Sequence, residues 1–586
     1  MHGVLKVKTT AEQEAERKKE RAEKAEKFKT LTEEIFNKRK NEELDDELLK
    51  LTEKLLGSNP DFSTMWNIRK EIFLKIKQQR SDDEMNELFL HELKFLQSCL
   101  HVNPKSYGVW EHRRFALQNM PSPDWKRDLM LCNKFLSMDS RNFHCWDYRR
   151  FVVKNANVSS KEEFDFTTKK ISENFSNYSA WHNRAKLLPL VHPDPQCKGK
   201  VEETALLREF GLVQNAFFTD PNDQSAWFYQ RWLLGREEQK LDILYIGIKT
   251  TSDGLRLVVS LSKKVQLNSQ ATIDIFINDE KFDNLTWSSS SQKQSPSHVW
   301  ISFSATKISF SNAVILMVKT TNIKKNLEDS ESRVIVEIGN GMKKECTLKQ
   351  GENEASWSWH LEESHLMFRD NHTAAKADVL NNELESCKML LEEESENKWV
   401  MLTVVFLMRA LNPEKYSDET ESLLKRLVDC DGMRREYYRD LRSKYQIEDE
   451  IRRMKRAKDD FQTLNLEEKE LTALYHLEYL TSVNTINLSS NKMTSLHNVH
   501  MLQNLTQINL DANEVDCLDG FSLVPHLRDL SLKGNKIAKL EELQKLRDAP
   551  SLKQLCLVDN PVSRSPLAET EQDFLSKLNM VDLKLS

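Results

Sequence analysis

Asn103-Pro104-Lys105-Ser106-Tyr107-Gly108-Val109-Trp110-Glu111-His112-Arg113-Arg114 is followed by Arg141-Asn142-Phe143-His144-Cys145-Trp146-Asp147-Tyr148-Arg149-Arg150. The two stretches share one pattern: a polar turn, a tryptophan, and an arginine three residues on. It recurs as Asn59-Pro60 before Trp66 and Arg69, and as Asn174 and Asn177 before Trp181 and Arg184. A fifth copy runs from Asp220-Pro221-Asn222 to Trp227, where the arginine slips one place to Arg231. Successive tryptophans stand 44, 36, 35 and 46 residues apart, room for two helices and their turns. Pro or Asn ahead of each tryptophan is a helix-start signal. Trp and Arg three or four apart share a helix face, so each unit pairs an apolar plug with a charged hydrogen-bonding group. Helical hairpins of this kind are expected to stack into a right-handed α-α superhelical solenoid, bent into a crescent. The tryptophans and arginines recur in every unit while an active site occurs once, so they are read as structural.

Outward from the repeat, residues 11–40 alternate Glu with Lys and Arg and read as a solvated helix, with partner binding the other use of such a face. Near residue 240 the period changes. Leu255 to Leu261, Ala271 to Ile277, Val299 to Phe303, Val314 to Val318 and Val334 to Ile338 read as strands between short polar turns. Cys346 to Leu348 and His365 to Phe368 supply two more. Seven or so short strands suggest an immunoglobulin-like β-sandwich, inferred from spacing because there is no Cys…Trp…Cys core. Helical patterning returns near 372, where Leu380, Leu384, Cys387 and Leu391 form a stripe, and Asn397, Trp399 and Arg409 echo the repeat.

The last stretch is leucine-rich. Val483-x-x-Ile486-x-Leu488-x-x-Asn491 is repeated by lines ending in Asn513, Asn535 and Asn560, at intervals of 22, 22 and 25 residues. A degenerate first copy runs from Phe461 to Lys469, with lysine in place of the asparagine. An amide at that position both donates to and accepts from turn backbone. The expected fold is therefore multidomain and mainly α. Helical repeats occupy 1–239, a β-sandwich insert 240–371, continued helix 372–460 and leucine-rich repeats 461–586.

With 39% apolar and 30% charged residues and a net charge of −6, the chain is expected to be globular and not a nucleic-acid binder. Nine scattered cysteines without a Cys-x-x-Cys arrangement argue against disulfides or a structural zinc module. The longest apolar run, Trp399 to Met408, is too short to span a bilayer. Met1-His2-Gly3 leads into no signal segment, and Leu583 to Ser586 is no lipidation box. A cytoplasmic protein without membrane insertion is expected.

The Trp-x-x-Arg units resemble the alpha-subunit repeats of protein prenyltransferases. The order of helical repeats, β-sandwich, helix and leucine-rich repeats resembles the type II, or Rab geranylgeranyltransferase, branch of that family. The farnesyl and type I geranylgeranyl enzymes share an alpha subunit with the helical part only. The resemblance implies an obligate heterodimer whose beta subunit carries the catalytic zinc and most of the isoprenoid pocket. It implies transfer of geranylgeranyl from geranylgeranyl diphosphate to C-terminal cysteines of Rab GTPases presented by a Rab escort protein, with this chain inactive alone. The helical crescent would be the escort-protein surface.

Such a reaction needs a thiolate and help for the departing diphosphate. The sequence has no evident zinc site, as suits an alpha subunit. Family matching sets Lys105, Tyr107 and His144 as diphosphate-proximal residues, Lys105 as a point charge and His144 as a donor. Phe143 stands where the family often has Tyr, so one hydroxyl contact is missing. The plainer alternative is that Lys105 and His144 finish a repeat turn. His497 and His500, three apart in a repeat connection, are read as solvated or satisfied. His2 would be an autoinhibitory ligand only if the N-terminal tail reached the beta-subunit zinc. A non-catalytic repeat scaffold for protein–protein interaction is the competing reading, and Pro104-Lys105-x-Tyr107 beside Asn142-Phe143-His144 is what it leaves unexplained.

Overall fold

A computed structural model of the chain describes residues 11–195, 201–234, 241–251, 254–267, 272–277, 280–281, 285–293, 295–305, 314–321, 343–348, 354–361, 373–459, 461–546, 549–564 and 582–584. The chain divides into two compact units, Met1–Leu233 and Leu234–Ser586.

Along the first unit, α1 (Ala11–Lys40) precedes a series of helical pairs. These are α2 (Asp46–Ser58) with α3 (Ser63–Lys77), α4 (Asp82–Val102) with α5 (Tyr107–Asn119), and α6 (Trp125–Met138) with α7 (Phe143–Asn155). Then come α8 (Ser160–Glu173) with α9 (Tyr178–Val191), and α10 (Glu203–Thr219) with α11 (Gln224–Leu234). The turn inside each pair is built alike. An Asn or Asp seven residues before the tryptophan accepts a backbone N–H two residues on: Asn59 from Asp61, Asn103 from Lys105, Asp139 from Arg141, Asn174 from Ser176 and Asp220 from Asn222. This exposes the carbonyl six residues before each tryptophan, and the indole donates to it. Trp66 bonds Pro60 O at 2.8 Å, Trp110 Pro104 O at 2.9 Å, Trp146 Ser140 O at 2.8 Å, Trp181 Phe175 O at 2.7 Å and Trp227 Pro221 O at 2.9 Å.

The arginines join one pair to the next. Arg69 meets Glu92 of α4, Arg113 Asp128 of α6, Arg149 Glu163 of α8 and Arg184 Glu209 of α10, all buried. Each carboxylate takes a second partner two residues beyond the next tryptophan: His112 for Glu92 (2.9 Å), Tyr148 for Asp128 (2.8 Å), Asn183 for Glu163 (3.3 Å) and Tyr229 for Glu209 (2.6 Å). The guanidinium also reaches back, Arg69 to Leu49 O and Arg113 to Leu93 O. Three successive helices are thus held through one charged group. The place corresponding to Arg184 is taken in the last pair by fully buried Gln230, while Arg231 lies 5.1 Å from the Phe228 ring centroid.

The second unit opens on β1 (Ile243–Thr251), a strand that the sequence reading passed over, and β2 (Gly254–Val265). It continues through β3 (Thr272–Ile277), β4 (Glu280–Lys281), β5 (Trp287–Ser289), β6 (Ser297–Ser304), β7 (Val314–Thr321), β8 (Lys343–Leu348) and β9 (Glu354–Ser358). Antiparallel sheets of order β5-β6-β2-β1-β9 and β4-β3-β7-β8 enclose Ile246, Leu257, Val259, Ile273, Ile275 and Trp300. The expected strands Val334–Ile338 and His365–Phe368 lie outside the described residues. Helices α12 (Ala374–Glu393), α13 (Lys398–Leu411), α14 (Ser417–Cys430) and α15 (Arg435–Ala457) follow. In α13, Asn397 caps through Trp399 N and Val400 N, and Arg409 pairs with Glu448 and Asp449.

The leucine-rich repeats contribute three-residue parallel strands in register: β10 (Thr463–Asn465), β11 (Thr485–Asn487), β12 (Gln507–Asn509), β13 (Asp529–Ser531), β14 (Gln554–Cys556) and β15 (Asp582–Lys584). Asn491, Asn513, Asn535 and Asn560 are buried and act alike. Asn513 donates to Leu488 O (2.8 Å) and Leu510 O (3.0 Å) while accepting from Met493 N (3.1 Å), so one amide stitches neighbouring turns. The sandwich packs on this domain. Leu244, Tyr245, Val258, Val299 and Trp359 share the leucine core, and Trp359 Nε1 donates to Tyr479 O at 2.9 Å.

Burial would raise the Glu92 carboxyl, but the Arg69 charge and the His112 hydrogen bond hold it at about 2. Glu92→Gln therefore leaves Arg69 buried without its counter-charge. We expect a loss of about 3–5 kcal/mol in the helical unit by denaturant unfolding, with Arg69→Met/Glu92→Gln losing clearly less than the sum of the single changes. Additive losses would refute the coupling.

Candidate functional site

Lys105 and Arg141 hold the same place in successive turns, five residues before a repeat tryptophan. The other copies carry Asp61, Ser176 and Asn222 there. Both backbone N–H groups are already engaged by the Asx turn, so their side chains are free to project. Lys105 is two-thirds exposed, with Nζ 3.8 Å from Asp139. Two residues further on, Tyr107 begins α5. The entry to that helix is tight: a Cβ on Gly108 would come within 2.5 Å of the Trp66 indole, so glycine lets α5 start against the preceding tryptophan. Ser106 spends its hydroxyl on Pro60 O at 3.1 Å and does not cap the helix. No side chain caps the N-terminus of α5, the positive end of the helix dipole.

Phe143 and His144 begin α7 in the same way, capped by Asn142, which accepts from His144 N (3.1 Å) and Cys145 N (3.2 Å). Asn142 also donates to Pro104 O at 2.9 Å, tying the start of α7 to the turn that carries Lys105. As a result Tyr107 stands edge-on over the His144 ring, with centroids 4.2 Å apart at 88°, and 6.2 Å from Phe143. Tyr107 is 71% and Phe143 55% exposed, whereas His144 is buried beneath them. Burial, and secondarily the Lys105 charge, hold the His144 imidazole below its ordinary value against the pull of Asp147. A neutral imidazole offers one N–H donor and no charge. Tyr107 and His144 are thus in ring contact, with the Lys105 ammonium close enough for its charge to act on the imidazole.

The sequence reading missed two members of this surface. Asp139 is the counter-ion of Lys105, and Tyr178, half exposed, continues the aromatic row at the start of α9. The signal was present, since Tyr107, Phe143 and Tyr178 each stand three residues before a repeat tryptophan. His497 and His500 do not converge: His497 meets Ser495 and His500 meets Ser290, each at 3.0 Å. His2 lies outside the described residues. Among the described residues no group of His, Cys, Asp or Glu is arranged to hold a metal ion. Burial pushes the Cys99 thiol up to about 12 and raises Cys387, while the Cys132 contact and then burial raise Cys145, so these thiols are protonated and poor nucleophiles. Nor is any described helix long and apolar enough to cross a membrane.

Residues 89–120, 125–156, 160–190 and 206–237 match the protein prenyltransferase alpha subunit repeat, and 478–583 match a leucine-rich repeat family. The geranylgeranyl transferase type-2 subunit alpha of Sus scrofa is 42% identical over 486 residues, covering 82% of both chains. That of Homo sapiens is 41% identical over 485 residues with the same coverage. The Dictyostelium discoideum relative of that name is 39% identical over 236 residues, 40% of this chain and 75% of its own.

Burial holds the His144 imidazole low, and the charges of Asp147 and Lys105 shift it from there. Lys105→Ala is expected to raise the imidazole pKa and Asp147→Asn to lower it further. Imidazole resonances followed by NMR through a pH titration test this, and shifts in one common direction would contradict the arrangement.

Proposed function

The chain belongs to the protein prenyltransferase alpha-subunit family, among the geranylgeranyl transferase type-2 alpha subunits, and we propose that it works as the alpha subunit of a heterodimeric Rab geranylgeranyltransferase. The observation that carries this reading is identity above 40% along 82% of the chain, through and beyond the helical repeats. The partner is a beta subunit. Together they transfer geranylgeranyl from its diphosphate to C-terminal cysteines of Rab GTPases presented by an escort protein, and neither subunit acts alone. Zinc, held by the beta subunit, supplies the substrate sulfur as a thiolate at neutral pH.

This chain's share is the leaving group. As the bond from isoprenoid carbon to diphosphate oxygen lengthens, negative charge grows on that oxygen. Lys105 offers a mobile ammonium, Tyr107 a hydroxyl and His144 an N–H from beneath. The uncapped start of α5 adds the positive end of a helix dipole. Lys105 gives up only a weak, solvated contact with Asp139 to do so. Phe143 supplies packing and no donor. The domain division at 239, 371 and 460, the cytoplasmic setting and the escort-protein surface on the helical repeats belong to the same proposal.

The test is transfer of labelled geranylgeranyl diphosphate to a Rab protein with escort protein present. It compares this chain alone, the beta subunit alone, the co-expressed pair, and the pair with Lys105→Ala. Activity is expected only in the pair, with the lysine change lowering kcat by roughly 100–1,000-fold, the order found when one donor to a developing oxyanion is lost. An inactive but well-formed pair, or no pair, would favour the non-catalytic scaffold.

A further inference from the structure

Three parts of the second unit meet at one histidine. His476 stands just before a short 3-10 turn, Leu477–Tyr479, in the first leucine-rich repeat. Its backbone is held at φ 61°, a left-handed conformation that residues other than glycine rarely adopt. Its Nε2 lies 2.9 Å from Glu448 Oε1 on α15, and its Nδ1 lies 3.5 Å from Glu478 Oε1 in the turn itself. The ring and both carboxylates are largely buried. The β-sandwich closes on the same point. Ser260 Oγ of β2 donates to Glu478 O at 2.8 Å, and His298 of β6 stands near enough to act electrostatically on the Glu478 carboxylate.

Both ring nitrogens therefore face carboxylate oxygens. A neutral imidazole has one N–H and one lone pair, so it can serve one of these oxygens but must turn its lone pair toward the other. Only the doubly protonated ring suits both. Burial opposes that charge, but the contacts with Glu448 and Glu478 outweigh it and raise His476 above its ordinary value. Burial would likewise raise the two carboxyls, and the contact with His476 holds them low. By contrast burial holds His112, His144, His500 and His526 low. The other charges around the ring are Lys444, Asp449 and Arg452 of α15 and Arg409 of α13. Arg409 Nη2 lies 2.8 Å from Glu448 Oε2, while Lys444 and Arg452 each lie 3.9 Å from that carboxylate. Asp449 is engaged by Arg409 and Arg452. Tyr475 and Tyr479 flank the ring, with centroids at 6.5 and 6.1 Å.

We propose that His476 is a proton-operated latch between α15 and the leucine-rich repeats: the doubly protonated ring clamps Glu448 to Glu478, and loss of one proton to solvent loosens the joint. The proton that remains stays at Nε2, on the shorter contact, so Glu448 keeps both the ring and Arg409. Glu478 then faces a bare nitrogen at Nδ1, and the left-handed turn loses the contact that offsets its strain. Because the folded value of His476 is the higher one, the latch contributes fully below about pH 6.5 and is lost as the pH rises through that folded value. Nearby ties between the same surfaces, Thr472 Oγ1 to Asp440 at 2.6 Å and Arg442 to Glu470 at 2.8 Å, contain no histidine. Histidine is the side chain whose charge ordinarily changes near neutrality.

The experiment follows backbone hydrogen exchange of the full-length chain by mass spectrometry from about pH 6 to about pH 9, each rate divided by the intrinsic rate at that pH. Peptides covering α15 and residues 470–482 are expected to lose protection about tenfold or more as the pH rises, the worth of one hydrogen bond to a charged group. Peptides covering β12 to β14 are expected to keep theirs. His476→Gln cannot take up a proton, so it should show the lowered protection at every pH. Glu478→Gln leaves the ring and removes one carboxylate, so the loss should move to lower pH, a displacement that a merely structural contact would not produce. That variant decides the question should His476→Gln fail to fold. Protection in the parent that is independent of pH, or an equal loss across β12 to β14, overturns the latch. So does the parent's pH dependence in a folded His476→Gln chain, or a Glu478→Gln midpoint at the parent's pH.

Discussion

A guanidinium taken out of water needs a carboxylate at hydrogen-bonding distance, and in the helical unit that requirement fixes where each helix pair sits on the last. Arg113 cannot be buried beside Trp110 unless α6 brings Asp128 to it. Asp128 in turn carries Tyr148 of the next tryptophan helix. The indole bond to the turn carbonyl sets the height of each tryptophan helix, and the arginine clasp sets its rotation. Apolar contacts alone would supply most of the burial energy while permitting slippage, because one leucine surface resembles another. The charged clasp admits one register.

The candidate site follows from that register. Once α5 and α7 are locked side by side, whatever stands three residues before their tryptophans must meet, and Tyr107 lies over His144 and Phe143 for that reason. Whatever stands five residues before is carried on a turn whose backbone is already satisfied, which leaves the Lys105 side chain only its exposed contact with Asp139. The same repeat geometry that could make these residues mere turn-finishers also presents them as a cluster. The two readings of Lys105 are thus not exclusive structurally; its N–H serves the turn and its ammonium is available.

The second unit applies the same electrostatic rule. Arg409 has Glu448 and Asp449, and His476 has Glu448, which ties α15 to the repeats. The asparagines of the leucine-rich repeats do with neutral amides what the arginines do with charge, each closing neighbouring turns. Arg256, which is only partly buried, bonds the uncharged Gln503 and faces His526.

Much of this was legible in the chain. Trp66 to Trp227 and Asn491 to Asn560 recur at intervals that only stacked units satisfy, and periodicity is a local property that survives without coordinates. Lys105, Tyr107 and His144 were legible through a resemblance, and the aromatic row through its fixed offset from the tryptophans. The carboxylates of the clasp were not. They follow their arginines by 23, 15, 14 and 25 residues, because turn lengths vary while the helix contact does not. The strand β1 was missed because Leu241 to Ile248 reads equally as the tail of a helix until pairing with β2 and β9 satisfies its backbone. Arg256 and Gln503 are 247 residues apart, and nothing local distinguishes this arginine from a solvated one. The sequence by itself determined the repeating architecture, since spacing and hydrophobic period act within a few turns of chain. Only the tertiary structure decided which charges are matched, because burial and counter-charge belong to the packed interior.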